Sequence, residues 1–134
     1  MSGAELEHLS DQWIEFTCTP EDSPEYMERF WVFEKMLDLI WYQPEDAWQL
    51  ILAIYNKDQS WKVKAQLAAG PVEDLLAHHG AQFIDRVEAE AGKNPAFANL
   101  LGGVWQNSMS EDVWQRLCAC RTFDGWNQDP ETAK

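Results

Sequence analysis

The residues of this sequence best suited to metal or acid–base chemistry are four carboxylates in its second half. Glu73 and Asp74 precede Asp85 and Glu88 by about three helical turns, and such a set could hold a metal ion or move a proton. Glu73 and Asp74 also follow a Gly-Pro pair that suits the start of a helix. There they would satisfy free amides and complement the helix dipole. We interpret them as capping residues.

A second set that could do chemistry comprises His78, His79, Cys118 and Cys120. The Cys-x-Cys spacing lacks the second cysteine pair or the spaced histidine pair that is typical of zinc sites. A nucleophilic cysteine with a histidine base has no local support, such as a glycine-flanked elbow. We therefore predict no metal, no cofactor and no catalytic residue, and we expect the thiols to be core groups.

The most distinctive constellation combines carboxylates with two aromatic rings in the first half of the chain. Its members are Glu21, Asp22, Glu25, Tyr26, Glu28, Trp31, Glu45 and Asp46. Closely spaced carboxylates attract lysine and arginine, and tyrosine and tryptophan are typical interface anchors. We predict that these residues bind a basic protein. A solvated helix face is the alternative.

The charge balance supports that partner class. The chain has 134 residues, of which 23 are acidic and 10 basic, so its net charge is −13. Residues 1–60 carry 13 acids against 3 bases, a net of −10, and residues 61–134 carry 10 against 7, a net of −3. Such a surface repels phosphate backbones, which argues against nucleic acid and anionic membranes as partners. Acidity that serves only solubility would give the same totals.

The elements that must position these residues are helices, because apolar side chains recur every three or four residues. A stripe from Leu6 to Phe16 predicts a first helix, and Pro24 starts a second, long helix that reaches Ile40. Pro44 starts a third, and Gly70-Pro71 predicts a sharp corner between two further helices.

The tryptophans on apolar stripes, expected in the core, are Trp13, Trp48, Trp105 and Trp114. Those expected to be less buried are Trp31, Trp41 and Trp61.

These patterns predict an all-α fold, a compact bundle of about seven or eight helices stacked as antiparallel hairpins. The architecture is HEAT-like or tetratricopeptide-like, without a true repeat. We expect one helical domain over residues 1–123, with acidic helices over 1–60 and further helices over 61–123. A partly flexible tail follows at 124–134. The sequence starts without a signal-peptide pattern, has no membrane-length apolar run and contains three cysteines, which predicts a cytoplasmic protein with reduced thiols.

A family resemblance covers residues 61–117. Its motifs are Ala68-Ala69-Gly70-Pro71-Val72-Glu73-Asp74-Leu75-Leu76, His79-Gly80, Phe83-Ile84, Val87-Glu88, Asn94-Pro95-Ala96-Phe97, Leu100-Leu101-Gly102-Gly103-Val104-Trp105 and Val113-Trp114. This pattern resembles a bacterial all-helical domain family of unknown function. The resemblance implies a helical bacterial module and brings no catalytic residue, and the first sixty residues carry no such resemblance.

The function that these observations favour is binding, not catalysis. The most concrete form is an immunity protein that neutralises a bacterial toxin, for example a nuclease, by occluding a basic surface. A phage-type antagonist that mimics the charge of DNA would have the same features. A small metal-dependent enzyme that uses Glu73, His78 and His79 is a further alternative, as are a structural adaptor and a homodimer formed through exposed tryptophan.

Overall fold

The computed structural model describes residues 1–124 and Trp126, and every regular element in this part of the chain is a helix. The helices are α1 (Gly3–Thr17), α2 (Pro24–Arg29), α3 (Trp31–Tyr42), α4 (Pro44–Lys57), α5 (Trp61–Leu67), α6 (Glu73–Lys93), α7 (Pro95–Leu100) and α8 (Glu111–Cys120). A π-helical turn covers Ala68–Val72 and a 3-10 turn covers Leu101–Gly103. The predicted all-α class is confirmed. None of the described helices is long and apolar enough to span a bilayer.

The chain divides into two compact units, Met1–Gln66 and a second that begins at Leu67. Helices α1, α3 and α4 pack together in the first unit, and α6 packs against α7 and α8 in the second. Six described helices thus carry most of the packing. The expected seven or eight is slightly too many, since α2 and α5 contribute little to this packing.

Two parts of the expected domain organisation stay predictions. They are the single domain over 1–123 and the stacking of helical hairpins. Of the expected flexible tail at 124–134, only Asp124 and Trp126 lie among the described residues.

The first unit forms because three amphipathic helices bury their apolar faces. Helix α1 buries Leu9, Trp13 and Phe16. The buried side chains of α3 and α4 include Ile40, Leu50, Ile51 and Ile54, each fully excluded from solvent. A buried aliphatic side chain contributes about 1.5–3 kcal/mol, so this core fixes the outward face of α3.

The predicted long helix from Pro24 to Ile40 is wrong, because the chain breaks between α2 and α3 at Phe30. The break coincides with an aromatic cluster. The ring of Phe30 lies 5.9 Å from Phe16 of α1 and 5.2 Å from Phe33 of α3. The backbone of Phe30 keeps helical angles, with φ −60° and ψ −25°, so the break is a local interruption of the helical hydrogen bonds beside this cluster.

The predicted corner at Gly70-Pro71 is also wrong, because Ala68–Val72 forms a π-helical turn with Pro71 inside it. Proline has no N–H to donate, and a wider turn lets a helical chain continue past it. Helix α6 is kinked at His79, whose φ and ψ are −135° and 32°. The two short helices that the sequence predicts around Gly80 are therefore the two arms of α6.

Candidate functional site

The outward face of α3 carries a row of rings and carboxylates that we call the α3 stripe. Its members are Trp31, Glu34, Asp38, Trp41 and Tyr42. Residues spaced by three and four positions share one face of an α-helix. The opposite face, with Val32, Met36, Leu39 and Ile40, is buried. The α3 stripe is therefore held in place by the core beneath it.

The rings of the α3 stripe are exposed to an unusual degree. Relative exposure is 42% for Trp31, 54% for Trp41 and 80% for Tyr42, and Met27 on α2 reaches 73%. The Trp31 ring stacks on His8 of α1 at 6.2 Å between centroids, with 20° between planes. Exposed apolar groups that share one face mark interaction sites in soluble proteins.

Three of the four carboxylates of α1, those of Glu7, Asp11 and Glu15, are paired with bases of the first unit. Lys57 Nζ lies 2.8 Å from both Glu7 Oε1 and Asp11 Oδ1, and Arg29 Nη2 lies 2.9 Å from Glu15 Oε1. Desolvation lowers the pKa of Lys57, but its hydrogen bonds to Asp11 and Glu7 more than compensate and raise the pKa overall. Glu7, Asp11 and Glu15 are thus engaged by the protein's own bases, whereas Glu5 at the start of α1 forms no ion pair within the described residues.

The carboxylates of α2, of the loop before it and of the α3 stripe lack such partners. They belong to Glu21, Asp22, Glu25, Glu28, Glu34 and Asp38. Within the described residues none of them forms an ion pair or a hydrogen bond through its carboxylate. The stretch 21–38 holds only two bases, Arg29 and Lys35, and Arg29 is engaged by Glu15 and by Thr19 Oγ1 at 2.9 Å. We call these six carboxylates the unpaired acidic surface.

The structure divides the predicted partner-binding residues into two groups. Glu21 and Asp22 precede α2, Glu25, Tyr26 and Glu28 lie on α2, and Trp31 is the first residue of α3. Glu45 and Asp46 begin α4, beyond the other end of α3, which at 1.5 Å per residue is about 18 Å long. Asp46 lies 3.6 Å from the α-amino group of Met1, and the Tyr26 ring packs 5.0 Å from Phe16.

Sequence reasoning missed Glu34, Asp38 and Tyr42 and did not assign Trp41 to the site. The signal was present, because these residues continue at helical spacing from Trp31. It was obscured because the same helix also carries a strong core stripe.

The second-half carboxylates have structural partners. Glu73 accepts hydrogen bonds from the backbone N–H of Trp105 at 3.1 Å and from Asn107 Nδ2 at 3.0 Å. Glu73 and Asp74 do lie in the first turn of α6, where they complement the helix dipole, but the predicted capping of free amides is wrong for Glu73, because its carboxylate accepts from a distant loop. Glu88 accepts a hydrogen bond from Arg116 Nε at 3.0 Å, and Asp85 pairs with the same guanidinium.

Asp74 lies in surroundings that oppose ionisation of its carboxyl group. Burial raises its pKa, the nearby charge of Glu73 raises it further, and His78 acts in the opposite direction. Among the residues that the structure describes, no three histidine, cysteine or acidic side chains are grouped so as to hold a metal ion. These carboxylates therefore serve contacts within the second unit.

The cysteines are not core groups as expected, and one of them, Cys120, lies in surroundings that do not activate its thiol. Cys118 and Cys120 are half-buried and Cys18 is exposed, and none of the three is in a disulfide. Burial raises the pKa of the Cys120 thiol, and the charge of Glu88 adds to the rise. A thiol that resists deprotonation is a poor nucleophile.

The prediction that Trp105 lies in the core is wrong. The Trp105 side chain is 75% exposed. The 3-10 turn ends just before it, and Val104 between them is extended, so Trp105 is not part of a helical stripe. Trp13 and Trp48 are buried as predicted. Trp114 is half-buried beneath the guanidinium of Arg121, which lies 4.7 Å from its ring centroid.

Comparison with known proteins gives a match to a family model over residues 19–125, described as Family of unknown function (DUF6869). The match is longer than the resemblance over 61–117, and it includes α2 and the α3 stripe. The predicted resemblance to a family of unknown function is confirmed, and the match extends it from residue 61 back to residue 19. Neither a curated protein nor a solved structure matches the chain.

Proposed function

We propose that this chain, which belongs to the family of unknown function DUF6869, is an acidic protein-binding protein of the cytoplasm. In this proposal the unpaired acidic surface docks a basic protein, and the exposed rings beside it anchor the complex. The family itself assigns no activity, so the support comes from the charges and exposures of α2 and α3.

The observation that carries the proposal is the contrast between paired and unpaired carboxylates in one unit. Glu34 and Asp38 are one helical turn apart, and like charges at that spacing destabilise a helix by about 0.2–0.5 kcal/mol. A basic partner relieves this repulsion on binding. Because charges attract over a distance, the same surface also speeds the encounter.

Solubility alone explains this surface less well. Charges that serve solubility need no particular neighbours, and a surface that serves only solubility exposes few large aromatic side chains. Here Trp31 and Tyr42 are exposed on the same face as Glu34 and Asp38. Exposed aromatic groups are typical anchors at the centre of an interface, and charged groups are typical of its polar rim.

The most concrete form of the proposal is an immunity protein. A toxin that acts on nucleic acid must present a cationic cleft, and an acidic binder of this size can fill it. The mechanism is occlusion, which requires no catalytic residue in the immunity protein. A phage-type antagonist that mimics DNA charge would act through the same surface.

The experiment starts from proteins captured from the native host by the full chain. We expect a basic partner whose association with Glu25→Gln/Glu28→Gln is about three- to tenfold slower at low ionic strength and less salt-dependent. The matched control is Gln49→Lys/Gln59→Lys, which makes the same net charge change at exposed positions of the first unit. Equal slowing in both variants, or a partner that is not basic, would contradict the proposal.

Expression of the captured partner separates the forms of the function. Growth arrest by the partner alone, relieved by the wild-type chain and less well by the Glu25→Gln/Glu28→Gln variant, supports immunity. A harmless partner supports an adaptor. Metal-dependent turnover lost on mutation of Glu73, His78 and His79 would replace binding with catalysis.

A further inference from the structure

We infer that the Asp38–Tyr42 end of the α3 stripe receives an arginine side chain of the partner. This inference rests on the proposed function and adds the chemistry of the anchoring residue. The place is a surface depression of about 210 Å³, lined by Lys35, Asp38, Leu39, Tyr42 and Gln43.

The lining of the depression suits a guanidinium group. The carboxylate of Asp38 has no partner within the described residues, and the Tyr42 ring stands one helical turn further along the same face. A guanidinium is planar, so it pairs with a carboxylate edge-on while its face stacks on an aromatic ring. An ammonium group makes the ion pair but stacks less well.

The chain's own arginines make both kinds of contact. The guanidinium of Arg121 lies between the rings of Trp114 and Phe123, at 4.7 Å and 4.4 Å from their centroids. Arg116 donates to both carboxylate oxygens of Glu88. Asp38 supplies a carboxylate for pairing, and Tyr42, one helical turn along the same face, supplies a ring for stacking.

The arginine must come from another protein. Each arginine in the described part of the chain is already held: Arg29 by Glu15, Arg86 over Phe83, Arg116 by Glu88 and Arg121 between two rings. A second copy of this chain would also bring its own Glu34 and Asp38 against the same carboxylates. Charge complementarity therefore favours a basic partner over a homodimer.

Lys35 gives the inference a second testable consequence. It lines the same depression and repels any incoming cation. A guanidinium is more weakly hydrated than an ammonium, so it tolerates this neighbour better. Removing the charge of Lys35 should strengthen binding of either cation.

The test is a nuclear magnetic resonance titration of the full chain with two short probes, acetyl-Arg-Arg-amide and acetyl-Lys-Lys-amide. We expect saturable shifts of the backbone amides of residues 38–43. The arginine probe should bind about two- to fivefold more tightly. Tyr42→Leu should abolish this preference, Asp38→Asn should weaken both probes, and Lys35→Gln should strengthen both.

Trp105→Leu is the matched control, because it removes an exposed ring of the second unit and should leave both affinities unchanged. Equal affinities of the two probes for the wild-type chain, or shifts that map outside residues 38–43, would overturn the inference. If the probes fail while a captured basic partner still depends on Glu25 and Glu28, only the inference fails. If that dependence is also missing, the proposed function fails with it.

Discussion

The carboxylate of Glu73 accepts a hydrogen bond from the backbone N–H of Trp105, 3.1 Å away, across 32 positions of sequence. A second bond from Asn107 Nδ2, at 3.0 Å, holds the other carboxylate oxygen. One side chain at the start of α6 thus fixes the loop that follows the 3-10 turn. The same loop carries the exposed Trp105 ring.

Removing the Glu73 carboxylate should therefore destabilise the second unit. We expect Glu73→Ala to lower the free energy of unfolding by about 1–2 kcal/mol, because it leaves an amide and a side-chain donor without their acceptor. Glu73→Gln keeps one carbonyl acceptor and should lose less than half of that. Urea denaturation measures both, and equal losses would contradict the role of the hydrogen bonds.

Two glycines of α6 should respond to alanine in opposite directions. A Cβ at Gly80 would come within 2.9 Å of Val113 Cγ2 on α8, whereas a Cβ at Gly92 would meet nothing within 4 Å. Gly80→Ala should therefore destabilise the protein by about 1–3 kcal/mol through overpacking. Gly92→Ala should stabilise it by up to about 1 kcal/mol, because alanine loses less backbone entropy in a helix. Thermal unfolding of the pair checks the sign of each change.

Asp74 should make stability depend on pH. Burial and the charge of Glu73 raise the pKa of its carboxyl above the ordinary value of 3.8, so the folded state binds the proton more tightly than the unfolded state. The resulting stabilisation is full below pH 3.8 and is lost as pH rises through the folded-state pKa. Asp74→Asn should remove this loss, so the variant should be more stable than the wild type at pH 7 and should lose that advantage below pH 3.8. A constant difference across the range would contradict this origin.

Much of the helical pattern follows from local sequence. The first helix ends near Thr17, Pro44 starts α4, and Ser110 starts α8, where its Oγ accepts from the backbone N–H of Val113 at 3.3 Å. Caps, prolines and apolar periodicity act within one or two helical turns, so the chain itself displays them. The break at Phe30 and the π-helical turn at Pro71 do not follow from such rules. Each depends on how distant or crowded groups pack.

In the candidate site, too, some features follow from the local sequence and others depend on how the helices pack. The sequence by itself determined that the first half of the chain is acidic, that Glu25, Glu28 and Trp31 lie in a helical region, and that no cofactor motif accompanies them. Only the tertiary structure decided which acids keep their charge unpaired. Lys57 reaches Glu7 and Asp11 across more than 40 positions of sequence, whereas Glu34 and Asp38 form no ion pair among the described residues. Charge type is a property of each residue, but ion pairing depends on distances that exist only after the helices have packed.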